Sequence, residues 1–181
     1  MIYLFRYTTP EGFDDLLMST DGVVLTGLWF EGLRDADKHI SNLVETCRGA
    51  SLPTIIHDTN RWLDIYFSGR QPDFTPAYRM HDLTPFRKKV LDIVGEIPFG
   101  RTMTYGEIAK HIVETFPETS PKPRKMSAQA VGGAVGWNPI CLIVPCHRVL
   151  GANGKLTGYG GGLHNKIALL KIEAGFVDLS K

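Results

Sequence analysis

From Thr84 onward the chain carries one helix-start signal after another, and this constrains its fold more than any other feature. Thr84-Pro85 sets a side-chain cap beside a proline at the first helical position. Phe86, Val90, Ile93, Val94 and Ile97 then recur at helical spacing until Pro98 and Gly100 stop the helix. Thr104-Tyr105-Gly106-Glu107 has capping-box spacing, with Ile108, Ala109 and Ile112 on one face. Ser127 caps a third helix, Ala128–Gly136, and Leu163–Ala174 reads as a last amphipathic helix ended by Gly175. Ahead of Thr84 the punctuation differs. Ile2–Tyr7 is strand-like, and Leu16–Ser19 and Val23–Phe30 flank an Asp21-Gly22 hairpin turn. Helices are expected over Asp37–Cys47 and Asn60–Ser68, the second ended by Gly69. Gln71–Leu83, with Pro72 and Pro76 and no apolar period, separates the two patterns. The expected organisation is α+β: an α/β unit over 1–75 with a small antiparallel sheet, a linker over 76–84, and a mostly helical unit over 85–181.

Charge divides at the same place. Residues 1–82 carry 7 Lys and Arg against 12 Asp and Glu, a net −5, whereas 83–181 carry 13 against 7, a net +6. A basic half fits a face turned toward a polyanion. Hydrophobic residues at 43% are ordinary globular usage. No apolar run reaches the ~18 residues that span a bilayer. The start, Met1-Ile2-Tyr3-Leu4-Phe5-Arg6, has no basic segment, long apolar stretch or cleavage site of the secretory kind. Three cysteines make no disulfide framework. A monomeric cytoplasmic chain, nuclear if the source is eukaryotic, is the expectation.

The third helix has an unusual interior. Gly132 and Gly133 sit side by side, each costing about 1 kcal/mol relative to alanine. A helix that accepts this has something pressed against its backbone, either another helix or a nucleic-acid groove. The pair of short helices fits a helix-turn-helix as well as an ordinary helical hairpin. Ile140–Val144 is a buried apolar run leading into Pro145-Cys146-His147-Arg148, and Asn153-Gly154 marks a tight turn. A thiol attacks carbon only as thiolate, and a free cysteine is a few per cent thiolate at neutral pH. An imidazole can take that proton. In an extended segment, however, neighbours point to opposite sides, so Cys146 and His147 meet only through a sharp bend or a water. Cys47 and Cys141 read as small buried hydrophobes.

Ile143-Val144-Pro145-Cys146-His147-Arg148-Val149 resembles the active-site signature of the O6-alkylguanine-DNA alkyltransferases (methylated-DNA–protein-cysteine methyltransferases). The likeness runs from Phe86 to Gly175 through Thr104–Ala109, Val131-Gly132-Gly133-Ala134, Asn138-Pro139 and Thr157–Leu163. In the first half it is limited to length and Tyr66-Phe67-Ser68-Gly69. The resemblance implies a ribonuclease H-like first unit and a winged-helix, helix-turn-helix second unit. It implies irreversible, single-turnover transfer of an alkyl group from O6-alkylguanine, and from O4-methylthymine, in double-stranded DNA to Cys146. No cofactor and no metal are implied. His147 acts through a water, with Glu173 holding its far nitrogen. Tyr105 helps rotate and bind the flipped nucleotide, Tyr159 walls the pocket, and the amide of Gly160 donates to O6. The carbonyls of Cys146 and Val149 accept from the guanine amino group, Val135 lines the same substrate site, and Asn138 organises the turn before the cysteine. Minor-groove contact is implied for Ser127, Ala128, Gln129, Ala130 and Gly132, with Thr104 and Arg148 alongside.

Two features depart from the family pattern. Gln129 stands where the family usually carries an arginine that fills the vacated stack. Glu114–Met126 is longer than the usual connection and holds Pro117, Pro121, Pro123, Lys122, Arg124 and Lys125. The alternatives are a non-enzymatic binder of the alkyltransferase-like type, which would lack the nucleophile, a Cys-His hydrolase, which would need an oxyanion hole and an accessible acyl intermediate, and a zinc module on Cys141, Cys146 and His147, which lacks a fourth ligand at metal spacing.

Overall fold

The hairpin signal at Asp21-Gly22 organises the first sheet. Asp21 Oδ1 accepts from the amides of Val23 and Val24, both at 2.9 Å, and Gly22 takes φ +98°. Strands β1 (Tyr3–Tyr7), β2 (Leu16–Thr20) and β3 (Leu25–Phe30) follow from it as an antiparallel sheet in the order β1-β2-β3. A computed structural model describes residues 2–32, 53–115 and 126–174. The helix expected over Asp37–Cys47 lies outside the described residues, as do Gly175 and most of the Glu114–Met126 connection.

Helix α1 (Thr54–Phe67) begins six residues before the expected start. Ile55, Ile56 and Thr59 have modest helix propensity, but their burial overrides it. Thr59 Oγ1 satisfies itself on the Ile55 carbonyl at 2.7 Å. Helix α2 (Pro85–Gly95) is capped as expected, Thr84 accepting from the Arg87 amide. It ends short of Ile97, because a residue before proline is pushed out of the α region. Ile97 stays buried all the same. Helices α3 (Tyr105–Thr115) and α4 (Ala128–Val135) pack on α2 and on each other, and α5 (Leu163–Glu173) is the last helix among the described residues. Short strands β4 (Met103–Thr104) and β5 (Val149–Leu150) pair in parallel.

The reading of α5 as a simple amphipathic helix needs correction. Its buried face carries Asn165, Lys166 and Glu173 beside Leu169 and Leu170, so it delivers polar groups to the interior. Among the described residues no helix is long and apolar enough to cross a membrane.

One apolar cluster runs through both halves, from Leu16, Leu28 and Tyr66 to Val131, Val144 and Leu169. The edge of β3 explains why. Leu25 pairs with the segment at Tyr78, within the expected linker, and Leu28 pairs with Ile140. The Leu28 amide donates to the Pro139 carbonyl, and the Cys141 amide donates to the Leu28 carbonyl, both at 2.9 Å. The first half therefore holds the segment that leads to Cys146.

Candidate active site

Ile140–Val144 is buried apart from the half-buried Ile143, but it is not a strand. Leu142 takes φ +66°, and the Ile143 amide closes a three-residue turn on the Cys141 carbonyl at 2.8 Å. A second tight turn joins the Cys146 amide to the Val144 carbonyl, and Cys146–Arg148 then form one 3-10 turn. The extended geometry considered from sequence is thus replaced by a sharp bend. Asn138 fixes that bend. Its Oδ1 accepts from the Ile140 amide at 3.0 Å, and its Nδ2 donates to the Val144 carbonyl at 2.8 Å and to Cys146 Sγ at 3.0 Å. Asn138, expected to organise the turn before the cysteine, thus bonds both sides of that turn and also places a donor on the sulfur.

Glu173 is the hub beneath the thiol. Its Oε1 accepts from Tyr66 Oη at 2.6 Å, His147 Nε2 at 2.7 Å and Arg148 at 2.9 Å. Its Oε2 accepts from Arg148 Nε at 2.8 Å and the Gly100 amide at 3.2 Å. Gly100 sits at φ +70°, and a Cβ there would stand 3.1 Å from the Glu173 carbonyl, so both the turn and the approach favour glycine. Burial would raise the Glu173 pKa, but the donors from His147 and Arg148 prevail and bring it down to about 2. A carboxylate with this many donors stays an anion and only accepts, so His147 Nε2 carries its proton there. Nδ1 is then the basic nitrogen. It is buried and has no protein hydrogen-bond partner. Burial lowers the His147 pKa against the pull of Glu173, which keeps the ring neutral at pH 7.

Two tyrosines flank the thiol. Burial raises the Tyr105 pKa; its hydroxyl hydrogen-bonds Thr157 and feels the Cys146 charge. The Tyr159 hydroxyl, beside Cys141 and Cys146, is pushed well up, chiefly by burial. Lys166 is fully buried and donates to the carbonyls of Val149 at 2.6 Å and Thr157 at 3.1 Å. Burial brings its pKa down to about 8, against the opposing pull of Cys146. The Val149 carbonyl expected to receive substrate therefore already holds Lys166.

Several assignments change. Arg148, expected on DNA, is buried, with its guanidinium on Glu173 and on the Ile97 carbonyl at 2.6 Å. An arginine so bonded has no donor fork left for phosphate. Val135, expected to line the substrate site, is buried in the apolar core. Gly132, expected on DNA, is half-buried, and the Tyr105 ring of α3 lies 3.7 Å from the place of its Cβ. Ser127 and Thr104 use their hydroxyls as helix caps, accepting from Ala130 and Glu107 amides. Ala128, Gln129 and Ala130, expected on DNA, are exposed. Gly160 lies beside Tyr159 in the loop before α5, partly exposed. Sequence reasoning missed Tyr66, whose only signal was its place in the Tyr66–Gly69 block. It also missed Lys166, for which spacing offered none.

A helix pair with an exposed small-residue face, beside a buried Cys-His-Glu cluster, is an arrangement that fits a DNA-binding protein acting through a cysteine. The 6-O-methylguanine DNA methyltransferase, DNA binding domain family matches residues 85–175. Over 175 residues the chain is 43% identical to the methylated-DNA–protein-cysteine methyltransferase of Mycobacterium leprae, covering 96% of this chain and 93% of that protein. The Methanosarcina acetivorans protein of the same name is 47% identical over 116 residues, 64% of this chain and 67% of that one. A Mycobacterium tuberculosis OGT solved in complex with DNA superposes with a TM-score of 0.71 at 34% identity, covering 98% of this chain and 95% of that one. The chain belongs to the methylated-DNA–protein-cysteine methyltransferase family.

Proposed function

We propose that this protein repairs alkylated DNA by direct reversal, moving the alkyl group of O6-alkylguanine onto Cys146 Sγ. One observation carries the reading: the sulfur receives the Asn138 amide at 3.0 Å while the adjacent His147 keeps a basic Nδ1 over a locked Glu173. A water between Nδ1 and Sγ passes the thiol proton to His147. Asn138 stabilises the resulting thiolate, and Glu173 stabilises the imidazolium. The sulfur then attacks the alkyl carbon, an S–C bond forms, and the C–O6 bond breaks. The electron pair leaves on the guanine, where a proton returns from solvent or from the site.

The Gly160 amide meets the charge developing at O6, and Tyr105 and Tyr159 wall the base. A methyl carbon inside the duplex is out of reach, so the nucleotide is flipped before transfer. The product is a thioether, which has no easy leaving group. Each molecule therefore acts once. O4-methylthymine is a second substrate of the same chemistry. DNA is met by α3 and α4 through the minor groove, by a monomer working in the cytoplasm, or in the nucleus of a eukaryotic source. The same reading divides the chain into a ribonuclease H-like unit over 1–75, a linker over 76–84 and a winged-helix unit over 85–181.

Intact mass and peptide mapping after incubation with duplex O6-methylguanine DNA test the proposal. One methyl should appear on the Cys146 peptide and vanish in Cys146→Ser, with DNA binding kept. Methyl on Cys47 or Cys141, or on the serine variant, would sink it.

A further inference from the structure

The exposed face of α4 does not stop at the helix. Gln129, Gly133 and Gly136 follow at helical spacing, and Trp137 continues that face in the turn beyond Val135. Nothing lies within 4 Å of the place a Gly133 Cβ would take, so this face is open. Trp137 is 38% exposed, whereas Trp29 and Trp62 are 2% and 7% exposed. Tryptophan joins a large apolar ring to a polar N–H and is enriched at interfaces, where one end is packed and the other wet. Its ring carries the Arg87 guanidinium 3.7 Å from the centroid.

Arg87 opens the run Arg87-Lys88-Lys89 on α2, and among the described residues it pairs with no carboxylate. Lys88, by contrast, is tied to Asp92 at 2.7 Å. Eight residues separate Gln129 from Trp137, about 12 Å at a helical rise of ~1.5 Å per residue. A minor groove is only ~6 Å wide, so a helix end entering it leaves its other end over the sugar–phosphate wall. At that place an indole offers an apolar platform, and an arginine already ordered on it offers a planar fork for phosphate.

We propose that Arg87 and Trp137 form a second DNA contact at the far end of α4, the indole packing on deoxyribose and holding Arg87 on the adjoining backbone phosphate. The occupant is the duplex backbone, favoured by the cationic run and by continuity with the Gln129 face. This contact rests on the DNA-repair reading above. It supplies a cation to a recognition helix that has Gln129 in place of arginine.

Full-length protein titrated with a lesion-free duplex at several salt concentrations tests it. Binding should change Trp137 emission, and Trp137→Phe should abolish that change while Trp29 and Trp62 continue to report the fold. Arg87→Gln should weaken binding roughly 3–10-fold and flatten the slope of log K against log salt by about one unit. Lys88→Gln, already neutralised by Asp92, should alter the slope less. An unchanged slope in Arg87→Gln, or an emission change that persists in Trp137→Phe, overturns the contact. Wild-type protein that neither binds duplex nor accepts methyl overturns the repair reading itself. Methyl transfer with an unchanged Arg87→Gln slope overturns only this inference.

Discussion

The relay around Glu173 and the exposed face of α4 are built on opposite principles. At Glu173 every lone pair is claimed, by Tyr66, His147, Arg148 and the Gly100 amide, from three separate stretches of chain. On α4, small side chains leave the backbone bare, and only Gln129 and the Arg87–Trp137 pair at its far end reach outward. The first arrangement holds one geometry in place before substrate arrives. The second leaves room for a partner to supply the contacts. Substitutions at the relay should therefore cost stability and rate together, whereas those on α4 should change binding and leave the fold alone.

The largest effect is expected from Glu173→Ala, which strands buried Arg148 and His147 without their anion. Unfolding by urea at pH 7 should report a loss of about 3–5 kcal/mol, and residual transfer should be lost with it. Retained stability would mean that the hub is not what holds the relay. His147→Ala and Glu173→Gln should each slow transfer, and combining them should add little, since Glu173 acts through His147. Fully multiplicative losses would break the unit.

The same hub has an acid signature. A carboxyl with a folded pKa of about 2 and an ordinary value of 4.5 stabilises the fold above the unfolded value. That stability, about 3 kcal/mol, is lost as pH falls from ~4.5 through ~2. Glu173→Gln should remove this part of the pH dependence, and an unchanged acid profile would contradict the low pKa.

Tyr66→Phe keeps the stack on Trp62, at 5.3 Å between ring centroids, and removes only the hydroxyl. A loss of about 1–2 kcal/mol is expected, typical of a buried hydrogen bond. Without that donor Glu173 holds the His147 imidazolium more strongly. The low-pH limb of the transfer rate, which in the wild type should fall only below pH 6.5 because burial lowers the His147 pKa, should move upward. A Tyr66 that merely packs would lower stability and leave that limb where it is.

The smallest effect belongs to α4. Gln129→Arg should steepen the salt slope by about one unit and speed transfer from duplex more than from the free base. An equal gain on both substrates would show that residue 129 does not fill the vacated stack. Arg148→Lys sharpens the contrast from the other side. It should destabilise the fold and leave the salt slope unchanged, because Arg148 serves Glu173 and not phosphate.

What the sequence determined by itself was local or chemical. Caps at Thr84, Thr104 and Ser127 are read from a few neighbouring residues, because each is a bond between a side chain and an amide within one turn. Cys146 and His147 were legible as a thiol next to a base, whereas Glu173, 26 residues away, was placed only by the chain's resemblance to the alkyltransferases. The helix starting at Thr54 was missed because its first turn is held by burial, which propensity does not record. Tertiary structure alone decided that Arg148 turns inward, that Gly132 meets Tyr105, and that Lys166 already occupies the Val149 carbonyl. It also decided that Tyr66, 81 residues before His147, completes the relay. Each of these depends on which distant segment removes a side chain from water and which polar group then waits within hydrogen-bond reach. That information is written in no short stretch of chain, only in the way the edge of β3, α1 and α5 close around the cysteine turn.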